Sequence, residues 1–457
     1  MRPFGWRSLA ASSLLLAALA SAATRPQYGG TVRISTRIAP ASLDPADGAQ
    51  QDSITRRNLT RLIFDTLVTL DNAGKVQPAL ATSWKAEPGT QRWEFWLRHD
   101  VKFHDGSPLT GDAVAASLRT ANPKWSIFPN GDSVVIECDA PAPNLLAELA
   151  LPRNAIAKRT APGKIFGTGP FQIADWQPGK KLTLQAEEGY WNGRPFIDSI
   201  AIEMSKSFRD QMISLELGKA DLIEVAPEQV RRTMMEGRHV VTSAPVELIA
   251  LVFARDRQSA AEDGKLREAV SLSLDRASIR NVLLQGQGEP AAGILPNWIS
   301  GYAFVFPVDA NLRRAQELRG EVPRAPVWTL SYDAGDPLGR VIAERIALNA
   351  RDAGITLQPS LSGTADVGLV HVLLGSIDPH IALANVGASL GLSQPKFNGS
   401  SVEDLYQAES AILRTQRLIP LFQLPAAYAL SPSVKAWNQE RDGTWRLPDV
   451  WLETEKP

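Results

Sequence analysis

The stretch RWEFWLRHDVKFHDGSPLTGDAVAAS, residues 92–117, packs a strand, a tight turn and a capped helix into twenty-six positions. Trp93, Phe95 and Leu97 fall on one face of an extended segment, with Glu94, Trp96 and Arg98 on the other. His104-Asp105-Gly106 turns the chain, because Asp bonds its own backbone and Gly accepts a positive φ. Thr110 is placed to N-cap the helix that follows. Asp112 sits in its first turn, where the helix dipole favours a negative charge.

Working outward, Tyr28-Gly29-Gly30-Thr31-Val32-Arg33-Ile34-Ser35 reads as a first strand, with Ala41-Ser42-Leu43-Asp44-Pro45 after it. Apolar residues between Ile54 and Leu67, spaced by arginines, predict an amphipathic helix. Prolines at 141 and 143 set off a helix start after a strand at 134–137. Gly167-Thr168-Gly169-Pro170-Phe171 precedes a strand at 181–187 and Tyr190-Trp191. Leu266, Val270 and Leu274 share one face of a helix expected to run on to Arg276. Strands at 327–332 and 355–357 flank a helix at 338–353, so strands alternate with helices and the fold class is α/β.

The central stretch resembles the signature of the family 5 extracytoplasmic solute-binding proteins, the peptide-binding components of bacterial ABC importers. The matching residues are Leu97, Arg98, Lys102 to Gly106, Pro108, Thr110, Asp112, Val114 and Ser117. The glycine pair and Leu43-Asp44-Pro45, the 167–171 pentapeptide, Tyr190-Trp191, Leu215 to Leu222, the 266–276 helix and Ile419-Pro420-Leu421-Phe422 match it in the same order. Where the family carries an asparagine ahead of the 266–276 helix, this chain has Ala254-Arg255. The section 120–134 is shorter than the family's, which implies a trimmed helical hairpin.

The resemblance implies a two-lobed type II periplasmic binding protein fold with interleaved, discontinuous lobes and an extra subdomain. Lobe I takes 24–48, 164–245 and 424–457, the extra subdomain 49–163, and lobe II 246–423. It implies capture of a peptide-like ligand between closing lobes and delivery to ABC permease subunits. A metal chelate, an opine or a sugar stays open as the solute. Ser35, Arg37 and Ala39 are candidates for the cleft, as is His371. Asp378 is the candidate partner for a ligand amine. Trp298 and Tyr302, with Phe304 and Phe306, either line a pocket or pack their loop onto its own lobe.

At 457 residues the chain exceeds one typical domain. A formal charge of -1 argues against nucleic-acid or anionic-membrane partners, which need a basic excess. Residues 1–23 carry Arg2 and Arg7, a short apolar run and Ala20-Ser21-Ala22, the pattern of a cleaved secretory leader. Its removal takes two arginines from 48 basic residues against 49 acidic, leaving -3. Cys138 is the only cysteine, so no internal disulfide and no lipid-accepting cysteine at the cleavage site are expected. The mature chain is expected as a periplasmic monomer without a stable membrane anchor.

Gly387-Ala388-Ser389-Leu390-Gly391 fits the nucleophile-elbow pattern, whose histidine follows the serine in chain order. The five histidines are His99, His104, His239, His371 and His380, all before Ser389, so that order cannot be built. No close metal-ligand spacing joins them, and neither cofactor nor catalysis is expected.

Overall fold

A computed structural model describes residues 25–161, 163–254, 256–302, 305–336, 338–361, 364–397 and 399–453. The leader, Arg255 and Phe304 lie outside the described residues.

One long sheet runs through the molecule. Its order is Phe171–Gln177, Lys181–Ala186, Ser199–Glu203, Thr31–Ser35, Leu222–Glu224, Leu418–Leu430, His239–Phe253, Val367–Leu373, Val327–Ser331 and Thr356–Ser360. The two longest strands, His239–Phe253 and Leu418–Leu430, lie antiparallel at its centre and serve both halves. At one end they join Leu222–Glu224, which pairs parallel with Thr31–Ser35. At the other they join Val367–Leu373, which pairs parallel with Val327–Ser331. The chain therefore enters one lobe, crosses to the other and returns, as the interleaved order implies.

The register between the crossing strands shifts around Pro245, which stands opposite Pro425. Proline offers no N–H to the ladder, so two facing prolines weaken the pairing where the strands pass between lobes. Each lobe buries its own core. Val32, Ile34, Leu59, Ile63, Phe171, Leu182 and Ile200 fill the first. Phe253, Leu266, Val270, Trp328, Ile342 and Ile346 pack one face of the second, and Leu248, Leu383, Val386 and Leu405 the other.

The stretch at 92–117 builds a satellite of the first lobe. Its strand, Arg92–Leu97, pairs with Ala81–Ala86 and Ser133–Glu137. Trp93, Phe95 and Leu97 point inward at 7%, 0% and 6% exposure, while Trp96 is 37% exposed. Gly106 takes φ 80° in the turn, and Thr110 Oγ1 accepts from the Ala113 N–H at 3.2 Å to start the helix Gly111–Ala121. Section 120–134 holds the strand Ser126–Asn130, folded back on Ser133–Glu137. The satellite's core gathers between Leu67 and Ile156, whereas the helix Ile54–Ile63 packs inside the first lobe.

The 167–171 pentapeptide is shaped by close approach. A Cβ on Gly167 would stand 1.8 Å from Ile63 O, and one on Gly169 2.5 Å from Ile63 C. His104 clamps the same segment: its N–H donates to Gly167 O at 2.9 Å, and Nε2 lies 3.0 Å from Gly169 O. Beside it, Asp65 accepts from Thr168 Oγ1 at 3.0 Å, Tyr190 Oη at 3.0 Å and Trp191 Nε1 at 2.8 Å. Separate motifs of the sequence thus meet at one carboxylate. Burial raises the pKa of Asp65 to about 6 against the pull of those donors.

Two helix boundaries differ from expectation. The helix at 54 ends at Ile63, whose carbonyl instead accepts from the Gly169 N–H at 3.0 Å. The helix expected through Arg276 stops at Ser273, because Asp275 caps a separate helix, Arg276–Val282, by accepting from the Ser278 N–H. Arg276 is buried and donates to Pro420 O on a crossing strand at 3.0 and 3.2 Å.

Candidate functional site

The two lobes face each other across a cleft floored by the crossing strands. On the first lobe, the strand Thr31–Ser35 ends at the cleft and leads into the loop carrying Arg37. Glu224, on the neighbouring strand, accepts from the Arg37 N–H at 2.6 Å and from Thr55 Oγ1 at 3.1 Å. Its own N–H donates to Gln211 Oε1 at 2.9 Å. Burial raises the Glu224 pKa, partly countered by these donors. The Arg37 guanidinium lies 5.7 Å from the centre of the Phe208 ring.

On the second lobe, His371 stands between two carboxylates. Nδ1 is 3.1 Å from Glu247 Oε1, and Nε2 is 3.1 Å from Asp336 Oδ2. Burial opposes charge on the imidazole, but the flanking acids outweigh it and raise its pKa to about 10. Burial likewise works against charge on Glu247 and Asp336, and His371 holds both below the usual carboxylate range. Arg37 acts on both acids from across the cleft.

Three arginines of the first lobe and its satellite also reach the second lobe. Arg57 Nη1 donates to Gly375 O, while Nε donates to Asp52 Oδ1 at 2.9 Å. Arg153 Nη1 donates to Asn385 Oδ1 at 3.1 Å. The Arg441 guanidinium lies 4.9 Å from the centre of the Trp298 ring. Next to these contacts is a cavity of about 200 Å³, lined by Asp65, Thr66, Leu151 and Asp442 on one side and by Gly375 to Ile377 on the other.

The expected site residues separate into groups. Ser35 is 3% exposed and ends the first strand; Ala39 packs against the first lobe's core. Arg37 and His371 belong to the facing charged walls. Trp298 sits at the lobe boundary, its Nε1 donating to Pro245 O at 2.8 Å. Tyr302 donates to Glu409 Oε2 and packs on Phe306 and Tyr406, so that part of the loop lies on its own lobe. Asp378 N-caps the helix Pro379–Ser389, Oδ1 accepting from the His380 and Ile381 N–H groups at 3.0 Å each.

Sequence reasoning passed over Glu247, Asp336 and Arg57. Glu247 alternates out of an apolar run, and Asp333 and Asp336 frame a Gly-rich turn, a weak signal that could have marked the loop. Arg57 is lost among the arginines of its helix. Ser389 ends a helix rather than linking a strand to one, which is not the geometry of an elbow. Among the described residues no group of three His, Cys, Asp or Glu is arranged to hold a metal ion, and no helix is long and apolar enough to cross a membrane.

Comparison with known proteins gives the same architecture. Chains of similar structure include the binding protein AgaA of A. tumefaciens R10, solved with agropinic acid: TM-score 0.78, 20% identity, 93% of this chain and 99% of that one. DppA of Helicobacter pylori, solved with the peptide STSA, has TM-score 0.78 and 18% identity over 94% and 99% of the two chains. These neighbours are type II periplasmic binding proteins, and the fold is theirs. In sequence, the uncharacterized protein YhjP of Bacillus subtilis is 32% identical over 457 residues, covering 91% of this chain and 76% of its own. The nickel-binding protein NikA of Staphylococcus aureus is 26% identical over 312 residues, 64% of this chain and 63% of its own, so the match spans less than two thirds of that relative. The profile of the bacterial extracellular solute-binding proteins, family 5, matches residues 75–365, and the chain belongs to that family.

Proposed function

We propose that the chain captures a small solute between its two lobes and hands it, unchanged, to the permease subunits of an ABC importer. The observation that supports this most is the pair of crossing strands interrupted at Pro245 and Pro425, with charged walls on either side. Such a connection lets two independently packed lobes rotate toward one another. Closure sequesters the ligand, and its charges must then be met by the walls, because an unpaired buried charge is costly.

The solute we favour is peptide-like, in keeping with relatives named for peptides; relatives solved with an opine or named for nickel keep those classes as the second reading. On the second wall, Glu247 and Asp336 stay charged through His371 and offer carboxylates to a ligand amine. Asp378 can do so only through Oδ2, since Oδ1 is committed to the helix cap. The leader exports the chain to the periplasm, where it works as a monomer.

The test is tryptophan fluorescence of the mature protein, titrated with di-, tri- and longer peptides, an opine, a metal chelate and a neutral sugar. Trp298 reports closure directly, because its ring carries the Arg441 contact between lobes. A saturable change, with the solute recovered intact, is expected. A consumed solute would contradict a transport role.

A further inference from the structure

Arg57 is 8% exposed and lies at the lobe boundary, yet its acidic partner Asp52 has a side chain 47% exposed. The pair is lopsided. The guanidinium is committed to the interior whatever holds its fork, whereas Asp52 stands on the solvent side and returns to water at little cost. Nε and Nη2 present the two parallel donors that a planar carboxylate accepts, and Asp52 now accepts both.

A second observation comes from the opposite lobe. Asn385 Nδ2 is buried and has no acceptor among the described residues, while Oδ1 of the same amide is taken by Arg153. A buried donor without a partner costs about 1–3 kcal/mol, which an arriving acceptor recovers. Gly375 brings the two donors together. A Cβ on Gly375 would stand 2.7 Å from Asn385 Nδ2 and 2.8 Å from Arg57 Nη2, so both nitrogens are within reach of one oxygen above this residue. Only glycine, at φ 93°, leaves that space open. The shared cavity adjoins it through Gly375 and Ser376.

Resting on the solute-binding reading, the geometry points to a carboxylate site in the cleft. Arg57 and Asn385 grip a carboxylate of the ligand across the two lobes, and Asp52 is a built-in occupant that the ligand displaces. Arg56 and Arg153 add positive potential at the same place, since both act on Asp52. The ligand class is thereby narrowed to solutes bearing a carboxylate, a chemistry shared by peptide C-termini, opines and carboxylate chelators. Neutral sugars lack it. Asp52 gives the site an internal competitor, so solutes with one weak acceptor are turned away before closure.

The experiment uses the full mature protein and calorimetric titration with paired probes: trialanine and its C-terminal amide, the opine agropinic acid, nickel-EDTA and raffinose. Binding is expected for at least one carboxylate-bearing probe. Where it is trialanine, amidation is expected to weaken binding by about thirtyfold, the order of one lost charge-assisted pair. Asp52→Asn removes the competitor and is expected to tighten the bound probe by about tenfold, whereas a merely structural Asp52 would leave it unchanged or weaken it. Arg57→Lys keeps the charge but loses the fork, and is expected to abolish the tightening. Equal binding of acid and amide, binding of raffinose alone, or an Asp52→Asn variant no tighter than the parent would overturn the carboxylate site and leave solute binding standing. Silence with every probe would overturn the solute-binding reading, and this inference with it.

Discussion

Replacing His371 with Gln tests the charged wall of the second lobe. The imidazole lies 3.1 Å from both Glu247 and Asp336, and its pKa rises from 6.5 to about 10. Taken without screening, that shift corresponds to about 5 kcal/mol. The side chain is 32% exposed, and water weakens both pairs, so roughly 1–2 kcal/mol is the expected contribution. Because the folded pKa is raised, this stability is complete below pH 6.5 and fades as pH climbs through about 10. The two acids have lowered pKa values, so their share is present above the usual carboxylate pKa and lost as pH falls below it. The protein should therefore be most favoured by this trio between those limits. Denaturant melts of parent and His371→Gln at neutral pH should differ by the stated amount and converge in strong alkali. NMR of the imidazole protons gives the sharper answer: the His371 resonance should stay in its charged position across the neutral range. A His371 midpoint near 6.5 would refute the reasoning.

Other predictions follow from the packing. Gly167→Ala places a methyl 1.8 Å from Ile63 O and should cost more than about 3 kcal/mol in melting studies, or prevent soluble expression. Asp65→Ala strips Thr168, Tyr190 and Trp191 of their common acceptor and should destabilise by about 3 kcal/mol, read as a loss of thermal stability. Arg276→Met leaves Pro420 O without its donor on the crossing strand; hydrogen exchange at residues 418–424 should accelerate. Asp378→Asn keeps the helix cap and removes the charge, so stability should hold within about 0.5 kcal/mol while affinity for an amine-bearing solute falls if Oδ2 is its partner.

Much of the scaffold was legible because it obeys local rules. The alternation through Trp93, Phe95 and Leu97, the Thr110 cap and the Gly106 turn each declare themselves within a few residues. The break after Ser273 was hidden, since Leu274 continues the apolar stripe and only the Asp275 side chain shows that a new helix begins. The cleft was harder to read for a physical reason. Glu247, Asp336 and His371 are brought together from three separate elements, and Arg57 gains its meaning from Gly375 more than three hundred residues away. No short-range pattern carries such meetings. Aromatic content misled in part: Tyr302 is an anchor to Glu409, while Trp298 alone of the two stands at the lobe boundary.

The central claim, capture of an intact solute by closing lobes, is tested most directly by native mass spectrometry of the mature protein isolated from its own periplasm. The account predicts a single added mass per chain that is released unchanged on denaturation and, when returned to stripped protein, alters Trp298 emission saturably. A chain that carries nothing, and whose emission no extracted solute changes, would contradict it.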